Sequence, residues 1–238
     1  MTIQLLSIQN IDQLYEKAFS ILKEQQNTGA KNFGLATGGT MIPLYKYIRN
    51  SALDFSHCNS VNLDEYVGLP KSHPQSYFSF MRKHLFNTKP FGITYLPNGE
   101  TANPEEEAKR YETTLKSLEI DLQLLGVGEN GHIGFNEPGT SFTSETHVVT
   151  LTNSTRKANA RFFHTIDDVP RKAITMGIAS IMRAKQILLI AVGAKKRPAI
   201  QALLHGEITE MIPVTVLKKH GNVIVLTDLG FKNTNHDD

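Results

Sequence analysis

The side chains best suited to chemistry lie in one glycine-rich stretch, residues 126–139, which follows an apolar run at residues 122–125. The stretch reads Gly-Val-Gly-Glu-Asn-Gly-His-Ile-Gly-Phe-Asn-Glu-Pro-Gly and holds one imidazole, two carboxylates and two amides, namely His132, Glu129, Glu137, Asn130 and Asn136. A histidine titrates near neutral pH and can both accept and donate a proton, and glycines let the backbone approach a ligand closely. The composition of this stretch indicates proton transfer on a small ligand.

Three of these glycines, Gly126, Gly128 and Gly131, match the spacing of a dinucleotide-binding loop. That fingerprint requires a helix that begins at the third glycine and an acidic residue about 20 positions later for the ribose. Gly134 and Pro138 interrupt any helix at this point. We therefore exclude a dinucleotide site.

A second glycine turn, Gly38-Gly39-Thr40, lies between a predicted strand (residues 32–37) and a predicted helix (residues 41–49). The N–H groups and dipole at the start of a helix favour an anion such as phosphate. Taken alone, the segment is equally consistent with a tight turn that needs glycine for its backbone angles. The same order of strand, glycine and helix recurs at residues 186–204, where Lys196 is placed to reach a phosphate.

An acidic side chain, Asp64, follows the predicted strand at residues 59–63. Taken alone, such a residue is more often a turn or helix cap than a catalyst. The strands of a parallel sheet, however, bring their carboxyl ends to one edge, where ligands bind. We therefore expect Asp64, the two glycine turns and the 126–139 stretch to meet there.

The order of elements predicts the fold class. Strands alternate with helices along the chain, which favours an α/β fold with a mainly parallel sheet covered on both faces. We predict one domain over residues 1–238, with a lid over the site formed by roughly residues 147–176. Within this lid a predicted helix at residues 152–163 is the most basic of the chain and carries Arg161.

Composition excludes several classes of protein. The 238 residues are 40% hydrophobic, which allows a substantial core, and the net charge of +2 comes from scattered lysine and arginine rather than a basic stripe. We expect no nucleic-acid partner, no membrane span and no secretion signal. A single cysteine, Cys58, fits a reducing compartment, so we expect a cytoplasmic protein.

The chain resembles the glucosamine-6-phosphate deaminase family over nearly its whole length. The resemblance is carried by Leu35-Ala-Thr-Gly-Gly-Thr40, Asn62-Leu-Asp-Glu-Tyr-Val-Gly-Leu-Pro70, Ser76-Tyr-Phe-Ser-Phe80, the 126–138 stretch, Leu151-Thr-Asn-Ser-Thr-Arg156 and Asn159-Ala-Arg-Phe-Phe163. It implies a three-layer α/β/α sandwich with a Rossmann-like sheet. It also implies conversion of glucosamine 6-phosphate and water into fructose 6-phosphate and ammonia, without a metal or an organic cofactor.

The resemblance also implies roles for individual residues. Asp64 matches the base that moves a proton between C2 and C1 of the sugar, His132 the residue that opens the ring, and Glu137 the carboxylate that supports it. The positions that match the family's phosphate site are Thr37, Gly38, Gly39, Thr40, Arg161 and Lys196.

Two expectations concern the charge state and orientation of these groups. Proton abstraction at C2 suits a carboxylate that is ionised but poorly solvated, so we expect that state for Asp64. Some family members have aspartate where this chain has Asn130, which cannot act as a base. We expect Asn130 to orient its neighbours by hydrogen bonds and Glu137 to be the partner of His132.

The chain also departs from the longer, hexameric family members. Those carry basic residues for an allosteric activator where this chain has His147 and Val149. We therefore expect a monomer or small homo-oligomer that N-acetylglucosamine 6-phosphate does not activate. The rival interpretations are a 6-phosphogluconolactonase, which needs no base at C2, and a sugar-phosphate sensor, which would keep the phosphate site but lose the acid and base groups.

Overall fold

The computed structural model describes residues 3–232, so residues 1–2 and 233–238 of the predicted domain lie outside the described part of the chain. The described strands are β1 (Ile3–Ser7), β2 (Asn32–Leu35), β3 (Asn59–Asn62), β4 (Asp64–Tyr66), β5 (Ile93–Tyr95), β6 (Leu122–Gly126), β7 (His147–Thr150), β8 (Lys172–Thr175), β9 (Gln186–Ala191) and β10 (Val223–Thr227). The α-helices are α1 (Ile11–Asn27), α2 (Ile42–Arg49), α3 (Tyr77–Met81), α4 (Pro104–Ser117), α5 (Asn153–Asn159), α6 (Ile178–Ile181) and α7 (Arg197–His205). Short 3-10 helices occupy Gly39–Met41, Ala160–Phe162, Ile166–Asp168, Ala194–Lys196 and Pro213–Lys219, and α3 continues into a π-helical segment, Arg82–Phe86.

Seven strands form one parallel sheet in the order β1-β10-β9-β6-β2-β3-β5. All five residues of β10 and all but the first of β9 are buried, so these strands are covered on both faces. Parallel strands buried in this way are near-continuous apolar runs, as Ile-Leu-Leu-Ile-Ala in β9 is. The predicted α/β fold with a mainly parallel sheet between helical layers is confirmed.

A second, antiparallel sheet has the order β4-β8-β7. Asp64 pairs with Thr175 on β8, and Thr175 pairs in turn with His147 on β7. The sequence predicted that Asp64 lies just past β3. The structure shows in addition that Asp64 is the first residue of a separate strand, β4. Hydrogen bonding to β8 on one side fixes the backbone that carries this carboxylate.

The small sheet also changes the description of the predicted lid. The predicted lid begins with β7 and ends with β8. β8 pairs with both β7 and β4, and residues 153–168 between β7 and β8 form α5 and two 3-10 turns. Sequence patterns missed β1, β4 and β8, since each has only three to five residues and shows no clear period. In the part of the chain that the structure describes, no helix is long and apolar enough to cross a membrane.

Candidate active site

A cleft of about 720 Å³ opens along the carboxyl ends of the parallel strands. The sequence-predicted residues that line it are Thr37, Gly38, Thr40, Asp64, Asn130, His132, Glu137, Arg161 and Lys196. Gly39 is the exception, because it begins the 3-10 turn behind Gly38 and does not line the cleft. Segments far apart in the sequence thus meet at one edge of the sheet, as expected of this class of fold.

Two similar glycine turns form one end of the cleft. Gly38, which follows β2, has φ of 99°, and Gly193, which follows β9, has φ of 98°, values that favour glycine. Each turn continues through a 3-10 segment into a helix, α2 or α7. The Tyr15 hydroxyl donates to the Thr40 carbonyl (2.7 Å), which holds the first turn from behind. The Gly193 N–H donates to Asp228 Oδ1 (2.9 Å), which holds the second.

Three cationic side chains also line the cleft: Lys195, Lys196 and Arg161. Lys195 is largely exposed and lies 3.4 Å from the carboxylate of Glu129. Lys196 is half-buried, and burial lowers its pKa, with Glu129 opposing and Lys195 adding to this effect. Positive charge beside the turns that lead into α2 and α7 makes this end of the cleft suited to an anion.

Asp64 is buried, and its exposed fraction is only 7%. Burial, together with the neighbouring Glu65 carboxylate, raises the pKa of Asp64 to about 8. Within the described residues, no group donates a hydrogen bond that would offset the loss of hydration. This environment favours the neutral acid, which disagrees with the expectation of an ionised Asp64.

The Glu65 side chain beside it points elsewhere and has a structural role. Its carboxylate accepts hydrogen bonds from the backbone N–H groups of Tyr66, Tyr77 and Phe78, at 2.8, 2.9 and 2.9 Å. Two of these N–H groups belong to the first turn of α3, so Glu65 caps this helix and fixes it against β4.

The imidazole of His132 belongs to a hydrogen-bonded network within the 126–139 stretch. His132 Nδ1 lies 2.7 Å from Asn130 Oδ1, and Asn130 Nδ2 donates to Glu137 Oε2 at 2.8 Å. The direct distance from His132 Nδ1 to Glu137 Oε2 is 3.6 Å. Asn130 orients its neighbours by hydrogen bonds, and Glu137 lies within ion-pair distance of His132 but is joined to it by hydrogen bonds only through Asn130.

The network also determines the tautomer of His132. A carboxylate can only accept, so Asn130 turns its NH₂ group towards Glu137 and its oxygen towards His132. Nδ1 therefore carries the hydrogen, and Nε2 keeps a free lone pair. Burial lowers the pKa of His132, with Glu137 opposing this and Lys196 adding to it, and this shift favours the neutral ring.

The position of the imidazole explains one of the glycines. A Cβ atom at Gly128 would lie 2.1 Å from His132 Cε1 and Nδ1, closer than any real contact. The ring therefore packs directly against the backbone of Gly128. Any other residue at this position would displace the imidazole.

Several residues that line the cleft were not predicted as site residues. They include Tyr77, Phe135, Thr155 and Asn159. Tyr77, Thr155 and Asn159 lie within stretches that carry the family resemblance, but their spacing alone suggests no role. Among the described residues, no group of three or more histidine, cysteine or acidic side chains could hold a metal ion.

Comparison with known proteins agrees with this architecture. Residues 8–225 match the family described as glucosamine-6-phosphate isomerases/6-phosphogluconolactonase. The chain is 62% identical to the glucosamine-6-phosphate deaminase of Lysinibacillus sphaericus over 203 residues, which cover 85% of this chain and 92% of that relative. It is 52% identical to the glucosamine-6-phosphate deaminase of Lactobacillus delbrueckii subsp. bulgaricus over 225 residues, which cover 94% and 96% of the two chains.

Solved structures give the same result at the level of the fold. A monomeric glucosamine-6-phosphate deaminase superposes with a TM-score of 0.91 at 42% identity, over 94% of this chain and 97% of that one. The 6-phosphogluconolactonase of Thermotoga maritima superposes with a TM-score of 0.74 at 18% identity, over 95% and 98%, a likeness that concerns the fold alone. The chain belongs to the glucosamine-6-phosphate isomerase/6-phosphogluconolactonase family.

Proposed function

We propose that this protein is a glucosamine-6-phosphate deaminase, which converts glucosamine 6-phosphate and water into fructose 6-phosphate and ammonia. The observation that carries the proposal is that one cleft holds a buried carboxylate, a neutral imidazole with a free Nε2 and an anion-binding end. The relatives that share most of the chain bear the name of this activity.

The phosphate of the sugar binds at the end of the cleft with the two glycine turns. The N–H groups and hydroxyls of residues 37–40 donate to its oxygens on one side, and Lys196 and Arg161 supply positive charge on the other. Because Lys196 is half-buried, its charge is poorly screened by water and acts strongly on a bound dianion.

Ring opening requires a proton to leave the C1 hydroxyl and a proton to reach the ring oxygen. His132 takes the first proton on Nε2 and returns it to the ring oxygen. The imidazolium that forms between these two transfers is stabilised by the negative charge of Glu137. Asn130 joins Glu137 to the imidazole through hydrogen bonds. The breaking of the bond between C1 and the ring oxygen leaves an aldehyde at C1.

Isomerisation then requires the hydrogen on C2 to move to C1. Asp64 removes it as a proton while a proton of the C2 ammonium group moves to O1, which gives an enolamine, and Asp64 then returns its proton to C1, which gives a protonated imine at C2. Water adds to this imine and ammonia leaves, so that the ketone of fructose 6-phosphate remains. A protonated amino group on C2 places a positive charge in the cleft, which lowers the pKa of Asp64 and supplies the ionised base.

We further propose that the whole chain forms one domain and that α5 with the turns up to Asp168 is the lid. This segment lies between β7 and β8, and its residues Thr155, Asn159 and Arg161 line the cleft. A lid of this kind reduces the access of water to the base and to the imine.

The direct test is incubation with glucosamine 6-phosphate while ammonia and fructose 6-phosphate are measured independently. We expect both products in a ratio of one to one. A second arm offers 6-phosphogluconolactone, because the family also contains lactonases. Lactone hydrolysis without release of ammonia would replace the proposed function by the lactonase alternative.

We also propose that the enzyme acts in the cytoplasm as a monomer or small homo-oligomer without an allosteric activator. The solved deaminase at 42% identity is described as monomeric, and His147 and Val149 occupy β7 where the hexameric members carry basic residues. We expect a hyperbolic dependence of rate on glucosamine 6-phosphate that N-acetylglucosamine 6-phosphate leaves hyperbolic. Sigmoidal kinetics that this ligand abolishes would contradict the prediction.

A further inference from the structure

Thr155, on the lid helix α5, is in direct contact with the proposed catalytic network. Its hydroxyl donates to Glu137 Oε1 at 2.7 Å. The other oxygen of the same carboxylate, Oε2, accepts from Asn130 Nδ2 at 2.8 Å. The two oxygens of Glu137 are thus held by different parts of the molecule, one by the glycine-rich stretch and one by the lid.

The start of α5 fixes the direction of the Thr155 hydroxyl. Thr152 is the N-cap residue, and its Oγ1 accepts from the N–H of Thr155 at 3.1 Å. The Thr152 hydroxyl also donates to Thr155 Oγ1 at 2.9 Å. With this donor on its oxygen, the Thr155 hydroxyl turns its own hydrogen towards Glu137, since a carboxylate accepts only.

A second contact joins α5 to the strand of the proposed base. Asn159, one turn after Thr155, lines the cleft and donates from Nδ2 to the Tyr66 hydroxyl at 2.9 Å. Tyr66 is the last residue of β4, the strand that begins with Asp64. The position of α5 is therefore fixed relative to both Glu137 and β4.

We propose that Thr155 is a positioning residue for ring opening, which acts on His132 through Glu137. The inference rests on the proposed function. With the Thr155 hydroxyl in place, the Glu137 carboxylate is held in the orientation that keeps Oε2 on Asn130 and 3.6 Å from His132 Nδ1. Without it, Oε1 loses this partner and the carboxylate can rotate away from the imidazole. The Thr155 hydroxyl thereby makes ring opening depend on the lid helix being in place.

The central variant is Thr155→Val, which keeps the shape of the side chain and removes the hydroxyl. We expect kcat to fall by roughly 10- to 100-fold, as for loss of a hydrogen bond to a charged group. KM for glucosamine 6-phosphate should change by less than about threefold, because the phosphate contacts that contribute to ground-state binding are intact. Thr155→Ser, which retains the hydroxyl, should recover most of the rate.

A double-mutant cycle tests whether Thr155 acts through Glu137. In a Glu137→Gln background, Thr155→Val should have little further effect, since the carboxylate that it positions is already gone. The matched control is Thr150→Val, an exposed threonine on β7 in the same lid region, which should leave kcat unchanged. Thermal unfolding of every variant separates a loss of rate from a loss of folded protein.

The outcomes separate the two proposals. If the wild-type protein releases no ammonia from glucosamine 6-phosphate, the proposed function fails. If the wild type is active and Thr155→Val matches it, or if the effects of Thr155→Val and Glu137→Gln multiply fully, only the role of Thr155 is overturned. A serine variant as slow as the valine variant would also overturn it.

Discussion

Asp64→Asn is expected to abolish turnover of glucosamine 6-phosphate and, in the same variant, to stabilise the protein at alkaline pH. Asparagine has nearly the shape of aspartate but cannot accept the proton from C2. We expect kcat to fall by at least about 10³-fold, within the range found for loss of a general base. Exchange of the C2 hydrogen with solvent deuterium should disappear together with ammonia release.

The measurement of C2 exchange makes this test specific. If Asp64 moves the proton between C2 and C1, the variant cannot exchange that hydrogen even when the sugar is bound with its ring open. A variant that still exchanges C2 hydrogen at the wild-type rate while releasing no ammonia would show that Asp64 acts after removal of the C2 proton. Binding of the open-chain alditol, 2-amino-2-deoxyglucitol 6-phosphate, reports separately whether the cleft is intact.

The gain in stability follows from the raised pKa of Asp64. Its usual value of 3.8 applies to the unfolded chain, and burial with the Glu65 charge raises it to about 8 in the fold. Between these values the folded state holds a proton that the unfolded state has lost, so the stability of the wild type falls as pH rises from about 4 to about 8. Asparagine has no carboxyl proton, so the variant lacks this fall in stability with pH.

The difference between variant and wild type should therefore be smallest at pH 5 and grow by roughly 2 to 5 kcal/mol of unfolding free energy by pH 8. For a chain of this size, that corresponds to a rise in Tm of at least about 5 °C. Thermal scans at pH 5, 6.5 and 8 measure it. A constant difference across these pH values would contradict the raised pKa.

Asp121→Asn is the matched control, because Asp121 is a partly buried carboxylate at the opposite ends of the strands. Burial alone would raise its pKa, but hydrogen bonds from Lys185 and from the N–H groups of Asn32 and Lys31 hold the pKa of Asp121 below its usual value. This substitution should lower stability at pH 7 and leave kcat unchanged. The two substitutions thus change stability in opposite directions, and only Asp64→Asn changes activity.

Much of the site was predictable because parallel strands end at one edge of a sheet. Once β2, β3, β6 and β9 are assigned as parallel strands, the residues beyond their carboxyl ends are expected near one another. These residues include Thr40, Asp64, His132 and Lys196. Their distance along the chain is irrelevant to this argument, since the sheet aligns strand ends whatever connects them. The prediction needed only the strands and the few residues that follow each one.

The charge states and direct partners were not predictable in the same way. The pKa of Asp64 depends on the absence of donors around it and on a buried Glu65 that is itself engaged in capping α3. Likewise, whether Asn130 or Glu137 contacts His132 depends on the path of a loop with five glycines, which sequence patterns do not fix. Pairing of β4 with β8 joins residues more than a hundred positions apart, and neither strand is long enough to show a period.

His132→Gln should make the reaction depend on spontaneous ring opening of the sugar. Glutamine preserves a polar side chain but cannot carry a proton from the C1 hydroxyl to the ring oxygen. We expect kcat for glucosamine 6-phosphate to fall by at least about 10²-fold. The inhibition constant of 2-amino-2-deoxyglucitol 6-phosphate should change little, because this open-chain molecule binds without any ring to open.

The dependence of rate on enzyme concentration distinguishes this defect from a general loss of activity. Since Asp64 is intact in His132→Gln, the variant still converts any open-chain aldehyde that forms in solution. At high enzyme concentration its rate should therefore reach a limit set by uncatalysed ring opening, and added imidazole should raise that limit. The rates of the wild type and of the control variant His205→Gln should remain proportional to enzyme concentration, and imidazole should not change them. His205 is an exposed histidine at the end of α7. If the rate of His132→Gln stays proportional to enzyme concentration and kcat equals that of the wild type, another group opens the ring. His132 would then have no role in that step.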